Sequence, residues 1–375
     1  MQRLRHAQAI LFDAETEVAP GYSAPGISYA YRMGCSSAQS ETQLPVSVGG
    51  SHWFEDRLLV TSFYSGSQQG WSGSSVITLD HRFRRQRSFF AQDSLPEGLG
   101  TRGHQLLVGH QGYSVLGVPI YPGIYIHDVR TGEQLDWIDT SPLTVENFDF
   151  IDWDTIHFST EEGHTINGED ARGLLLRLNL NTGGFSVVAS IANHIEREQV
   201  QCFYVVTDRC GRSYVTVAQG VRDDGSYIES WLVCVEANGD LVWARRFPEG
   251  VNNVYSIAFN RSRTWIYAAQ YGWTNAAEAS YWPNFNNDKP IFKVNPADGT
   301  GMERPIATIP FRDLWGASFT SMTYPAYPNP TQRKRLVGTD WSHERMGPTD
   351  KWTDGLILLP KITARSTRAP SPSEV

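Results

Sequence analysis

The feature that most limits what this chain can become is a hairpin that recurs along it. An apolar strand runs into a short polar turn, and a second apolar strand follows. Copies occupy Ile124–Ile138, Leu174–Val188, Leu232–Trp243 and Ile291–Glu303, with turn glycines at Gly132, Gly183, Gly239 and Gly299. An earlier copy, Ser75–Phe89, has Arg84 where the others have Gly. Branched and aliphatic residues suit strands packed on a neighbouring sheet, and Thr-Gly, Asn-Gly and Asp-Gly permit the positive φ of a tight hairpin. Consecutive turns lie about 50 to 60 residues apart, the period of a β-propeller with four strands per blade.

The strands before each hairpin extend the pattern. First strands are expected to begin near Val46, His104, Asn147, Val200, Val254 and Ala317. Second strands follow at Leu58–Thr61, Asp154–Phe158, Ser213–Val217, Thr264–Tyr267 and Arg335–Gly338. The last unit has only Gly355–Pro360 as a third strand, and the N-terminal strand Ile27–Arg32 is available to complete it and close the ring, which removes exposed sheet edges. The expectation is one all-β domain over residues 1–365, a six-bladed β-propeller. Seven blades is the alternative, because residues 1–45 hold more than one strand. The Ser- and Pro-rich residues 366–375 read as a disordered tail.

Composition agrees with this. Aromatic residues reach 12% and charged residues only 19%, with 33 Gly and 20 Pro, which favours strands and turns over long surface helices. A net charge of -8 argues against nucleic acid as a partner. No stretch approaches the roughly 20 apolar residues that span a bilayer. The apolar run Ala7–Phe12 is too short for a signal-peptide core, so the chain reads as cytoplasmic. Cys35, Cys202, Cys210 and Cys234 lack metal-ligand spacing and read as reduced thiols.

In a propeller, the connections from second to third strands leave from one end of the axis. Here they are long: 62–74, 109–123, 159–173, 219–230, 271–290 and 339–354. Short hairpins would close the sheets equally well, and loops on a rigid scaffold are where binding groups sit. These connections carry Trp71, Trp273, Tyr281, Trp282 and Trp341 with His343 and Arg345 among them. Such a mouth suits a largely apolar or aromatic small molecule held by a few polar groups. His52 and His104, at first-strand positions, are the imidazoles expected near the mouth.

Known fingerprints are missing from the sequence. There is no Gly-x-Ser-x-Gly elbow, Walker loop or His-Glu-x-x-His. Glu55, Glu146, Asn147, Asp149, Asp208 and Asn252 could in principle surround one calcium ion, as a lactonase-type hydrolase on this scaffold requires. Trp-Asp repeats are not in register, although a non-enzymatic propeller that binds a ligand or protein stays open.

Three segments, Ala14–Gly26, Tyr271–Asn275 and Gly338–His343, give the chain a likeness that spans most of its length. It resembles the fungal hetero-Diels–Alderases of tropolone–sesquiterpenoid biosynthesis, enzymes of secondary metabolism that join an o-quinone methide to a macrocyclic alkene. The resemblance implies a pericyclase that works without cofactor or metal, on an apolar alkene and an aromatic, tropolone-like partner. Holding two reactants in register is worth roughly 7–11 kcal/mol in favourable cases, and hydrogen-bond donors add an electrostatic part. The loop inventory offers His343, Arg345 and His104 as the donors, one of which could act as the acid for loss of water. Trp71, Trp273, Tyr281, Trp282, Trp341 and His52 are the expected substrate contacts.

Overall fold

In a computed structural model of the chain, every turn glycine of the repeat sits between two antiparallel strands. The structure describes residues 12–13, 48–55, 57–62, 74–79, 85–92, 96–110, 121–160, 163–221, 227–251, 253–260, 263–270, 289–309, 319–323, 335–340 and 355–358. A two-residue strand, β1 (Phe12–Asp13), comes first. Then follow four-stranded antiparallel meanders in chain order. The first sheet is β2 (Val48–Phe54), β3 (Arg57–Ser62), β4 (Ser74–Leu79) and β5 (Arg85–Gln92). The second is β6 (Pro96–Arg102), β7 (Gln105–His110), β8 (Gly123–Asp128) and β9 (Gln134–Asp139). The third is β10 (Asn147–Phe150) and β11 (Thr155–Ser159), then a small ribbon of β12 (Thr165–Ile166) and β13 (Glu169–Asp170), then β14 (Leu174–Asn179) and β15 (Phe185–Ser190). A one-turn helix, α1 (Ile191–Ile195), leads to the fourth sheet of β16 (Val200–Thr207), β17 (Ser213–Val221), β18 (Tyr227–Val235) and β19 (Leu241–Arg246). The fifth is β20 (Val254–Phe259), β21 (Ile266–Gln270), β22 (Lys289–Val294) and β23 (Ala307–Ile309). The last described sheet holds β24 (Phe319–Thr323), β25 (Arg335–Asp340) and β26 (Gly355–Leu358), and β1 pairs with β25.

First strands line up around one axis. β2 lies against β6, β6 against β10, β10 against β16, β16 against β20 and β20 against β24, and β24 also meets β2. The fold is an all-β propeller. Apolar faces of adjacent sheets form its core: Leu107, Ile126, Phe148 and Phe158 between the second and third, Leu175, Cys202 and Val215 between the third and fourth, and Tyr214, Trp243, Phe259 and Phe292 between the fourth and fifth. Among the described residues no helix is long and apolar enough to cross a membrane.

Asp or Asn opens several outer turns for a physical reason. Asp128 Oδ1 accepts from the N–H groups of Arg130 and Thr131 at 2.7 and 2.9 Å, and Asn179 Oδ1 accepts from those of Asn181 and Thr182, locking the bend before the glycine. Three of the turns then seat on the fourth strand of the preceding sheet. A Cβ on Gly183 would touch Ile138 of β9, one on Gly239 would lie 2.0 Å from Val188 O of β15, and one on Gly299 would strike Arg245 and Trp243 of β19.

Four expectations need correction or fall outside the described residues. The second sheet does not begin at His104: its first strand is β6, and the segment after His104 is the second strand, β7. Pro96–Arg102 carries two glycines and reads poorly as a strand. The reason is close packing, because a Cβ on Gly98 would lie 2.8 Å from the Phe148 ring and one on Gly100 2.7 Å from Phe150. Gly100→Ala is therefore expected to lose about 1–3 kcal/mol by overpacking, measured as a lower denaturation midpoint at unchanged m-value. The expected long connection 219–230 is instead mostly strand, since β17 and β18 run on to Val221 and from Tyr227. The closing strand Ile27–Arg32 and the tail 366–375 lie outside the described residues.

Candidate functional site

The sequence-derived candidates separate when placed on the fold. His104 sits exposed in the turn between β6 and β7. The connection to β8 leaves from the far end of β7, about 17–20 Å away at 3.3 Å per residue. His104 therefore sits at the opposite end of β7 from the connection to β8. His52 lies on β2 opposite Leu59, in the half of the strand nearer the β2–β3 turn. Its Nε2 is 3.0 Å from Thr101 Oγ1 on β6, and burial lowers its pKa to about 4. It is a neutral link between two sheets. Trp71, Trp273, Tyr281, Trp282, Trp341, His343 and Arg345 lie outside the described residues, in the connections that follow β3, β21 and β25.

What the sequence did not reveal is a regular fault in the first strands. The register of β2, β6, β16, β20 and β24 shifts near the start, between Val48 and Ser51, Pro96 and Leu99, Cys202 and Val205, Val254 and Ser256, and Phe319 and Ser321. Each shift falls at the end from which the long connections leave. β10 runs in register throughout. Bulges re-aim side chains and free backbone groups from the ladder.

At β16 the freed groups can be followed one by one. Phe203 and Tyr204 face the single residue Thr216 on β17. Tyr204 N–H donates to Thr216 Oγ1 at 3.0 Å, Val205 N–H donates to Asn147 Oδ1 at 3.0 Å, and Phe203 C=O accepts from the Ser159 hydroxyl. Every one of these acceptors and donors is buried, as the cost of an unmet buried backbone group demands. Asn147 and Ser159 come from the third sheet, so the bulge of the fourth is held partly by its neighbour.

The bulge of β20 places Tyr255. Its ring packs on Phe203 (centroids 4.8 Å apart) and near Tyr204 (6.3 Å). Its hydroxyl donates to the carboxyl of Glu146, the residue just before β10. A fifth-sheet phenol therefore reaches over the fourth sheet to a third-sheet carboxyl, and both residues are buried. Beneath them, burial and then the Glu146 charge push the Cys202 thiol above its ordinary range. Asn253, at the head of β20, is buried, and its Oδ1 has no hydrogen-bond partner among the described residues. The result is a polar pair set in aromatic rings, at the axis end from which the long connections leave.

Two other buried polar groups look reactive and are structural. His157 Nδ1 is 2.6 Å from Ser213 Oγ, but Arg177 Nε donates to its Nε2 at 3.3 Å. With Nε2 accepting, Nδ1–H must donate to the serine. Burial and the Arg177 charge lower its pKa to about 3. A base that activates serine needs a carboxylate behind it, not a guanidinium. Asp149 accepts from Thr207 N–H at 2.7 Å and Oγ1 at 3.1 Å. Burial raises its pKa against the opposing charge of Arg263.

The calcium set is likewise dispersed. Glu55 is exposed beyond β2, Asp208 accepts from the N–H groups of its own turn at Cys210 and Arg212, and Glu146, Asn147 and Asp149 each serve different partners. Asn252 lies outside the described residues. Among the described residues, no group of three His, Cys, Asp or Glu could hold a metal ion.

No protein-family model and no curated protein matches this chain. Among solved structures, the β-propeller domain of Cps50 (Swd1) from Myceliophteria thermophila is similar in fold. It aligns over 85% of this chain and 99% of its own, with a TM-score of 0.48 and 8% sequence identity.

Proposed function

We propose that this propeller is a cofactor-independent catalyst that binds an apolar or aromatic small molecule at the axis end bearing the long connections. The observation that carries this reading is the buried Glu146–Tyr255 pair, bedded on Phe203 and Tyr204 at that end. The ring is six-bladed in this reading, supported by the contacts of β24 with both β20 and β2, and the pairing of β1 with β25 is in keeping with closure by the N-terminal segment. A cytoplasmic setting is in keeping with the unpaired Cys202, Cys210 and Cys234.

The reaction class is the one the sequence resemblance implies, a hetero-Diels–Alder cycloaddition preceded by dehydration. When Glu146 carries a proton, its O–H donates to the Tyr255 oxygen and frees the phenolic O–H for the bound molecule. Tyr255 then gives its proton to a departing hydroxyl, which leaves as water, and takes the Glu146 proton in return; the ring hydroxyl of the substrate loses its own proton, which returns through Tyr255 to the Glu146 carboxylate and restores the pair. The aromatic bed holds the resulting quinone methide and the alkene in register. His343 and Arg345 remain candidate donors from the β25–β26 connection.

The test is incubation of the protein with a tropolone-type benzylic alcohol and a macrocyclic alkene, read by mass spectrometry. A product with the combined mass less one water, in enantiomeric excess, is expected. Tyr255→Phe is expected to lower turnover about 100-fold while the protein stays folded. Product formation no faster than in buffer refutes the proposal. A second reading, a protein-binding propeller, draws on exposed Leu135, Phe185 and Leu241, one near the start of the fourth strand on three consecutive sheets.

A further inference from the structure

We infer that Thr216 is a positioning residue that sets the aim of Tyr255. The inference rests on the reading of Glu146–Tyr255 as the reacting pair. Thr216 lies on β17, fully buried, and stands opposite the two bulged residues of β16. Its hydroxyl accepts from Tyr204 N–H at 3.0 Å and donates to Tyr255 C=O at 2.7 Å. A second carbonyl, that of Tyr204, is 3.5 Å away, so the single hydroxyl proton goes to Tyr255. One side chain thus ties the bulge of the fourth sheet to that of the fifth.

Packing alone does not call for a hydroxyl here. Valine has a similar shape and an equal fit to a strand, yet it would take from the Tyr204 N–H and the Tyr255 C=O the hydroxyl that each meets here. Those two bulges carry Phe203, Tyr204 and Tyr255, the rings that bed the pair. Without the tie, β20 is free to return toward regular pairing with β21 around Val254 and Ser256. That shift swings the phenol away from Glu146. Misplacement of a reacting group by about 1 Å costs up to 100-fold in rate.

The experiment compares Thr216→Val, Thr216→Ala, Thr216→Ser and Tyr255→Phe. The first readout needs no substrate: the proton NMR signal of the buried Tyr255 hydroxyl that donates to Glu146, absent in Tyr255→Phe. The Val and Ala variants are expected to lose or shift this signal while keeping the rest of the spectrum dispersed, and Ser to retain it. In the cycloaddition assay, Val and Ala are expected to lower kcat about tenfold or more with KM within twofold, and Ser to restore it. Ala keeps the comparison open should Val fail to fold. A signal and kcat unchanged in both hydroxyl-free variants overturn the role of Thr216, as does a Ser variant as impaired as Val. A Tyr255→Phe variant that keeps signal and turnover overturns the reacting pair itself, and the inference with it.

Discussion

Lowering the pH from 7 to 5 is expected to cost the folded protein about 4 kcal/mol, from two histidines alone. His110 and His157 are fully buried and held neutral, each with its pKa lowered to about 3. For His110 the main cause is burial, with a smaller contribution from the charge of His127. An unfolded chain protonates these imidazoles near pH 6.5, whereas the folded chain does not until about pH 3. Between those values the unfolded state binds more protons. The stabilisation is present above pH 6.5 and is lost as the pH falls, at about 1.4 kcal/mol per unit for each residue.

His52 and His127, both with lowered pKa, act in the same direction. Asp149 acts the other way, because its folded pKa is raised. Urea titrations at pH 7, 6 and 5 measure the loss directly, and His157→Gln is expected to flatten the slope by one proton. A midpoint that does not move over this range would show that these imidazoles accept protons in the folded state.

The second large effect is expected at Gly239. Its φ of 93° suits only glycine, and an added Cβ would stand 2.0 Å from the carbonyl oxygen of Val188. Val188 sits where β15 breaks register with β14, and the opposite side of the turn is held by His194, whose Nε2 lies 2.8 Å from Gly239 O. The obstacle is backbone, so no side-chain rotation relieves it. Unfavourable φ and overpacking together give about 2–5 kcal/mol for Gly239→Ala. In a chain of this length that is a drop of about 3–6 °C in Tm. Gly184→Ala is the control: it is exposed, with Thr182 Oγ1 no nearer than 3.4 Å to its new Cβ. Equal Tm losses in the two variants would remove the special place given to Gly239.

The turn glycines were legible because a tight turn needs specific chemistry at specific positions, and chemistry is what a sequence writes down. Asp128, Asn179 and the glycines after them mark outer hairpins wherever the chain is described. β6 was not legible, because Gly98 and Gly100 answer to Phe148 and Phe150 on another sheet. Local propensity at Pro96–Arg102 argues for a turn, and tertiary packing overrides it.

The candidate site was the least legible part. Glu146 and Tyr255 stand 109 residues apart, and only closure of the sheets around the axis brings them together. The bulge at Phe203–Tyr204 depends on Asn147, Ser159 and Thr216, three ordinary strand or strand-edge residues with no shared motif. The one local sign was a carboxylate at the head of an inner strand, Glu146 before Asn147.

The seating of Gly183, Gly239 and Gly299 on the sheet behind each of them runs in a single sense around the axis. Every such sheet therefore has a leading and a trailing flank that differ in what they need. Deleting one would strip a seat from its successor but a covering turn from its predecessor, so repeats cannot be shuffled or dropped without mismatched joints. New chain ends opened at one of these outer turns remove one such joint. Circular permutation at these turns is thus penalised.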